Sequence, residues 1–244
     1  MKRNVNSRKI RNILFLHWKI MVSALLKESK MAPLILYNHP LSPPCRLVRL
    51  VAGIIGVDLK IEDVKDLYKD LKTPEMLKKN PQHTVPVLVD NDLYISESRA
   101  IVMYLVSKYA KDDSLYPKDV NKRVLVDQRL FFDQDLFNRI LNVFMPVFQG
   151  KEVEPSSIEK ANDGLETLNR MLDSKQFLAG DKVTIADYAV ANSLLALELN
   201  PKSGVDASKQ PNVKQWLPRV ESSHPVYGKI VKEYHEALKK MMQK

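Results

Sequence analysis

The 244-residue sequence predicts an α/β domain followed by an all-α domain. Three observations carry that prediction. Between residues 34 and 110, short apolar runs alternate with amphipathic segments in the order β-α-β-α-β-β-α. After DDSLYPKD (112–119) the strand signals stop, and helical patterns fill roughly 119–148, 154–173, 184–199, 211–222 and 225–242. Hydrophobic residues make up 45% of the chain, enough for a packed core and too many for global disorder.

Residues 34–37 (LILY) read as a short buried strand. Residues 43–55 read as a helix: Pro43 and Pro44 are tolerated in a first turn, Leu47, Leu50, Val51 and Ile54 recur at helical spacing, and Gly56 suits the stop. VDLKIEDV (57–64) alternates as a second strand, and TPEMLKKN (73–80) is a short helix opened by Pro74. Val87–Val89 and Leu93–Ile95 flank Asp90-Asn91-Asp92, a tight hairpin turn. Residues 98–110 form an amphipathic helix. TIADYAV (184–190) carries a capping box, Thr184 with Asp187 three residues on. This order of elements is a thioredoxin-like plan with an all-α domain appended. The seam lies near 112–118, so the domains run 31–112 and 118–244.

Charge and cysteine content restrict the chemistry. The formal charge is +9, but residues 1–30 hold eight Lys/Arg and one Glu, which leaves the body at +2. The basic character belongs to the leader, so the overall charge gives no ground for nucleic-acid binding. Residues 13–26 are too short and too interrupted, by His17 and Lys19, for a membrane span. The leader is read as an extension outside the fold. Met31 is a natural start for the body, which implies a cytoplasmic protein; a genuine presequence would imply mitochondria. A single cysteine excludes an intrachain disulfide and a cysteine-cluster metal site, and no metal is expected.

Ser42 and Cys45 sit three apart at the start of the first helix, a spacing that suggests sulfur chemistry, with Tyr37 just upstream. LSPPCR (41–46), NPQHTVPVLVD (80–90), ESRAIVMYL (97–105), YPKD (116–119) and TIADY (184–188) together resemble a cytosolic glutathione transferase over about residues 34–240. NPQHTVPVLVD, YPKD and VDQRLFFD (126–133) most resemble the insect delta class, with epsilon second. The resemblance implies a homodimer that takes glutathione as co-substrate in the first domain and a hydrophobic electrophile beside the second.

On that resemblance the reacting sulfur belongs to glutathione. A free thiol is mostly protonated at pH 7, and only its thiolate attacks well. Ser42 is expected to donate a hydrogen bond to that thiolate. Cys45 would be packed and inert, because redox members of the superfamily place their reactive cysteine first in the motif. Tyr37 is a rival donor, since some classes use a tyrosine near the end of the first strand. By the same carry-over Glu97 meets the γ-glutamyl amine, Ser98 its carboxylate, and Arg99 adds charge nearby. Val85 pairs through its backbone with the cysteinyl unit, held by a cis-Pro86, and His83 reaches the glycine end. The delta pattern's second histidine is absent; Leu71 or Lys72 stands there. Leu41, Phe131, Phe137, Leu141 and Phe144 are the candidate walls of the electrophile pocket. Asp187 and Thr184 are assigned to structure. The alternative function is a binding or interaction module of the same fold, without catalysis.

Overall fold

The computed structural model describes residues 32–243. The basic leader lies outside the described residues, and the chain from Leu34 onward forms one compact unit. The first part is a four-stranded sheet with helices. Strand β1 (Leu34–Asn38) leads through helix α1 (Pro43–Ile55) to β2 (Leu59–Asp63). A short α2 (Pro74–Lys79) precedes the hairpin β3 (Val87–Asp90) and β4 (Leu93–Ser96), and α3 (Ser98–Tyr109) closes the unit. The strand order is β2-β1-β3-β4, with β1 parallel to β2 and every other pairing antiparallel. The parallel pair needs a crossover, and α1 supplies it.

Alternation along β1 decides which side chain faces which layer. Leu34 and Leu36 enter the main core with Leu47, Val51, Ile101 and Leu105 from α1 and α3. Tyr37 points to the other face, where Val64, Leu71 and Met76 form a small separate cluster. Helix α1 begins at two prolines and ends at Gly56, whose φ of 72° places it in the left-handed region that favours glycine.

The hairpin is fastened to α3 by one carboxylate. Asp90, 4% exposed, accepts hydrogen bonds from Lys108 Nζ at 2.7 Å, from the Tyr104 hydroxyl at 2.6 Å and from the Tyr109 hydroxyl. Burial alone would raise its pKa, but these three donors outweigh burial and take it from 3.8 to about 2. A folded pKa below the unfolded one means stabilisation that is full above the unfolded pKa and lost as pH falls through the folded one. Between about pH 4 and pH 2 the protein should therefore lose about 2 kcal/mol at this residue. Chemical denaturation at stepped pH checks it, and Asp90→Asn should flatten that part of the profile.

The second part is helical: α4 (Val120–Phe148), α5 (Pro155–Met171), α6 (Ile185–Leu194), α7 (Pro211–Ser222) and α8 (Pro225–Met242). All ten residues of α6 are buried, which makes it the central helix of the unit. The helix expected over 184–199 is shorter than its sequence pattern. After Leu194 the chain tightens into a 3-10 turn, Leu195–Leu199, ahead of Asn200-Pro201. The residue before a proline disfavours helical backbone, so the tighter turn ends the helix there. Gly164 lets α5 lie close on α4; a Cβ there would meet Leu136 Cδ1 at 2.9 Å.

Candidate active site

Strand register gathers the candidate residues at one end of the sheet. Tyr37 pairs with Val87, and Val87 pairs with Ser96. The loop after β1, the loop before β3 and the turn after β4 therefore emerge together. They carry Leu41-Ser42, His83 to Pro86, and Glu97-Ser98-Arg99 respectively.

Ser42 is the N-cap of α1. Its Oγ accepts from the Cys45 backbone N–H at 3.3 Å, and its own N–H donates to the His39 carbonyl at 3.0 Å. An Oγ that accepts a cap bond still has its proton to donate, and it sits at the positive end of the helix dipole. The half-buried side chain can thus donate to an anion without losing its structural role. Cys45 offers no such chemistry: it is fully buried, and burial pushes its thiol up to about 11. A thiol that stays protonated at neutral pH is a poor nucleophile. Tyr37 faces the other side of the sheet, where its hydroxyl accepts from Lys79 Nζ at 2.9 Å.

The Val85–Pro86 peptide bond is cis. Asn80, 1% exposed, organises the loop before it: Nδ2 donates to the Thr84 carbonyl at 3.0 Å and Oδ1 accepts from the Gln82 N–H at 3.1 Å. His83 lies exposed in this loop, with φ 47°. Of the two residues at the missing second histidine, Leu71 is 3% exposed in the small apolar cluster and can contact no anion. Lys72 is exposed.

Glu97 precedes α3 with φ 67° and ψ 109°, a conformation strained for any residue but glycine. Glu97 is exposed and makes no side-chain cap bond, and the first N–H groups of a helix have no partner within it, which is what an anion site uses. Ser98 is 2% exposed, and its Oγ accepts from Arg99 Nη1 at 3.3 Å. Arg99, expected to add charge nearby, is paired with a buried carboxylate. Its Nε and Nη2 both donate to Asp133 Oδ2, at 2.8 and 2.6 Å. Asp133 is fully buried and also accepts from Ser193 Oγ at 2.7 Å through Oδ1. Burial pushes the Asp133 carboxyl up, while Arg99 and Ser193 oppose that shift.

Sequence reasoning missed Asp133, although a signal was present. The buried stripe of α4 runs Val126, Leu130, Asp133, Phe137, Ile140, Phe144, with steps of three and four. Asp133 is its one charged member, and a buried carboxylate needs a partner.

The expected pocket walls divide. Phe137, Leu141 and Phe144 share a face of α4; Phe137 and Phe144 are buried, and the Arg99 guanidinium lies 5.5 Å from the Phe137 ring centre. Phe131 is 76% exposed. Six residues turn a helix by about 600°, which leaves Phe131 about 120° round α4 from Phe137. Leu41 is half-buried in the Ser42 loop.

Asp187 lies in the second domain with four donors on it. Oδ1 accepts from the Leu178 N–H at 2.8 Å and Trp216 Nε1 at 2.9 Å; Oδ2 accepts from Thr184 N–H and Oγ1, each at 2.9 Å.

A thioredoxin-like sheet whose first helix is capped by serine, joined to a helical domain, defines a class of protein, and comparison with known proteins specifies it. The chain matches the family models "Glutathione S-transferase, N-terminal domain" over residues 36–113 and "Glutathione S-transferase, C-terminal domain" over 133–224. It is 37% identical over 211 residues to glutathione S-transferase D7 of Drosophila melanogaster, covering 85% of this chain and 92% of that one. A delta-class glutathione transferase structure from Nilaparvata lugens aligns with TM-score 0.79 and 38% identity, over 86% of this chain and 99% of that one. The Bombyx mori transferase BmGSTD1 aligns with TM-score 0.76 and 39% identity, over 81% and 91%. The chain belongs to the glutathione S-transferase family, and insect delta- and epsilon-class enzymes are among its relatives. It is an enzyme of that family, with glutathione as the family's co-substrate.

Proposed function

We propose that the enzyme adds the glutathione thiolate to hydrophobic electrophiles, with Ser42 as the donor that stabilises the thiolate. The observation that carries this reading is the Ser42 hydroxyl itself: its oxygen caps α1 and its proton is left to donate, while the neighbouring thiol is buried and held protonated. The Val85 backbone before the cis-proline supports pairing with the cysteinyl unit. The N-terminus of α3, with Ser98, suits the γ-glutamyl carboxylate; Glu97 is exposed to meet the amine and His83 the glycine end. Arg99 acts by orienting Ser98 and by adding positive charge, itself anchored on Asp133. Phe137, Leu141 and Phe144, with Leu41, form the apolar side toward which an electrophile would be held. The glutathione domain runs 31–112 and the helical domain 118–244. Once thiolate and electrophile are held together, proximity supplies much of the rate. Peroxide reduction and dehydrochlorination are side reactions open to the same thiolate.

The test is conjugation of glutathione to a general aryl halide across pH 6–9, wild type beside Ser42→Ala. A protein that binds glutathione but conjugates nothing would favour the non-catalytic binding module.

A homodimer is part of this reading. Val120, Val124 and Phe131 lie on one outer face of α4, at 75%, 55% and 76% exposure. Positions 0, 4 and 11 along a helix fall within about 40° of one another, so they form an apolar stripe that a second copy would cover. Phe131→Glu should shift the sedimentation equilibrium toward monomer; an unchanged dimer would place the interface elsewhere. No helix among the described residues is long and apolar enough to cross a membrane, and a cytoplasmic location is proposed for the body.

A further inference from the structure

We infer that Asn192 is a positioning residue for Ser42: from the central helix of the second domain it grips both ends of the first turn of α1. This rests on the Ser42 reading above. Asn192 is 4% exposed, and each of its amide atoms is committed. Nδ2 donates to the Pro43 carbonyl at 2.8 Å. Oδ1 accepts from Arg46 Nε at 2.7 Å, and the Asn192 backbone carbonyl accepts from Arg46 Nη2 at 3.1 Å. Pro43 follows Ser42 directly, and the Arg46 N–H donates to the Ser42 carbonyl at 3.0 Å. The serine is thus bracketed by two residues that one asparagine holds.

Arg46 is no ordinary cation for such a clamp. It is 2% exposed, its guanidinium lies 4.1 Å from the centre of the Tyr234 ring, and burial lowers its pKa to about 10. Tyr227, Tyr234 and Glu198 are the titratable groups that face it, from α8 and the 3-10 turn after α6. Around the Ser42 turn the titratable neighbours are Cys45, His39, Asp63 and Arg49. Arg46 is tied to the second domain by Asn192 on one side and by the Tyr234 face on the other. Without the asparagine side chain, the first turn of α1 loses two of its three hydrogen bonds to α6 among the described residues and keeps only the one from Arg46 Nη2 to the backbone carbonyl of residue 192. Donor orientation toward an anion is what a displaced turn would degrade, and a donor is effective only when held in place beforehand.

The experiment measures the pKa of enzyme-bound glutathione by thiolate absorbance, with kcat/KM across pH 6–9 and thermal stability, in four variants. Asn192→Ala removes both side-chain bonds. Asn192→Asp keeps the size and the acceptor for Arg46, loses the donation to Pro43, and serves if the alanine variant does not fold. Both should raise the pKa of the bound thiol and lower kcat/KM about tenfold at pH 6.5, with the deficit closing toward pH 9. In a Ser42→Ala background, Asn192→Asp should move the thiol no further. A bound-thiol pKa unchanged in the Asn192 variants, even with a lowered melting temperature, makes the contact purely structural and overturns the inference. A further shift in the double variant overturns action through Ser42. A wild-type thiol pKa in Ser42→Ala alone overturns the Ser42 reading, and this inference with it, so the two failures are told apart.

Discussion

Ser42→Ala should lower kcat/KM for conjugation by about a hundredfold at pH 6.5, the scale for losing one pre-oriented donor to an anion. The deficit should shrink steadily toward pH 9. A free thiol ionises near pH ~8.5, so at high pH glutathione brings its own thiolate and needs the hydroxyl less. Each unit of thiol pKa that the site removes corresponds to about 1.4 kcal/mol of preferential binding of the anion. The loss should fall on the low-pH limb of the profile and leave glutathione affinity nearly intact, because most of the contacts proposed for the tripeptide lie on other residues. Cys45→Ala is the internal control, expected within twofold of wild type, since its thiol is buried and protonated. Equal activity of wild type and Ser42→Ala at all pH values would remove Ser42 from the mechanism. Activity that survives Ser42→Ala and disappears in Cys45→Ala would reinstate sulfur chemistry by the protein itself.

Asp187→Ala should be the most damaging single change to stability. The substitution strands the Leu178 and Thr184 N–H groups and the Trp216 indole N–H in a fully buried setting. Each stranded donor costs about 1–3 kcal/mol, and partial relaxation brings the total to about 4–5 kcal/mol. At about 2–4 °C per kcal/mol for a chain of this size, the melting temperature should fall by more than 8 °C. Burial pushes the Asp187 carboxyl up, and the four bonds oppose that shift. Differential scanning calorimetry reads the change. The folded fraction should retain the wild-type pH profile, because Asp187 touches nothing in the Ser42 loop. A melting temperature within 2 °C of wild type would show that the loop before α6 finds other partners.

Much of this fold was legible because its boundaries are set by local chemistry. Helix α1 runs Pro43–Ile55 in both sequence pattern and structure, since two prolines and Gly56 bound it within a single turn at each end. The hairpin followed from Asp90-Asn91-Asp92, and Asn91 takes φ 54° as such a turn requires. What resisted reading was nonlocal. Asp133 meets Arg99 across 34 residues, and Asn192 meets Arg46 across 146. No local pattern announces such a partner; a charged residue in an apolar stripe announces only that one must exist. Phe131 makes a different point. Aromatic content drew attention to α4, but content does not say how exposed each side chain is, and Phe131 is 76% exposed.

The buried α6 has a consequence for how such a chain can be recombined. Successive residues of this helix, Asn192 and Ser193, reach the Ser42 turn and, through Asp133, the Arg99–Ser98 pair. The two domains are therefore not interchangeable modules. A chimera that takes its sheet from one relative and its helices from another inherits half of each contact. It should conjugate well only if residues 46, 99, 133, 192 and 193 travel as a set.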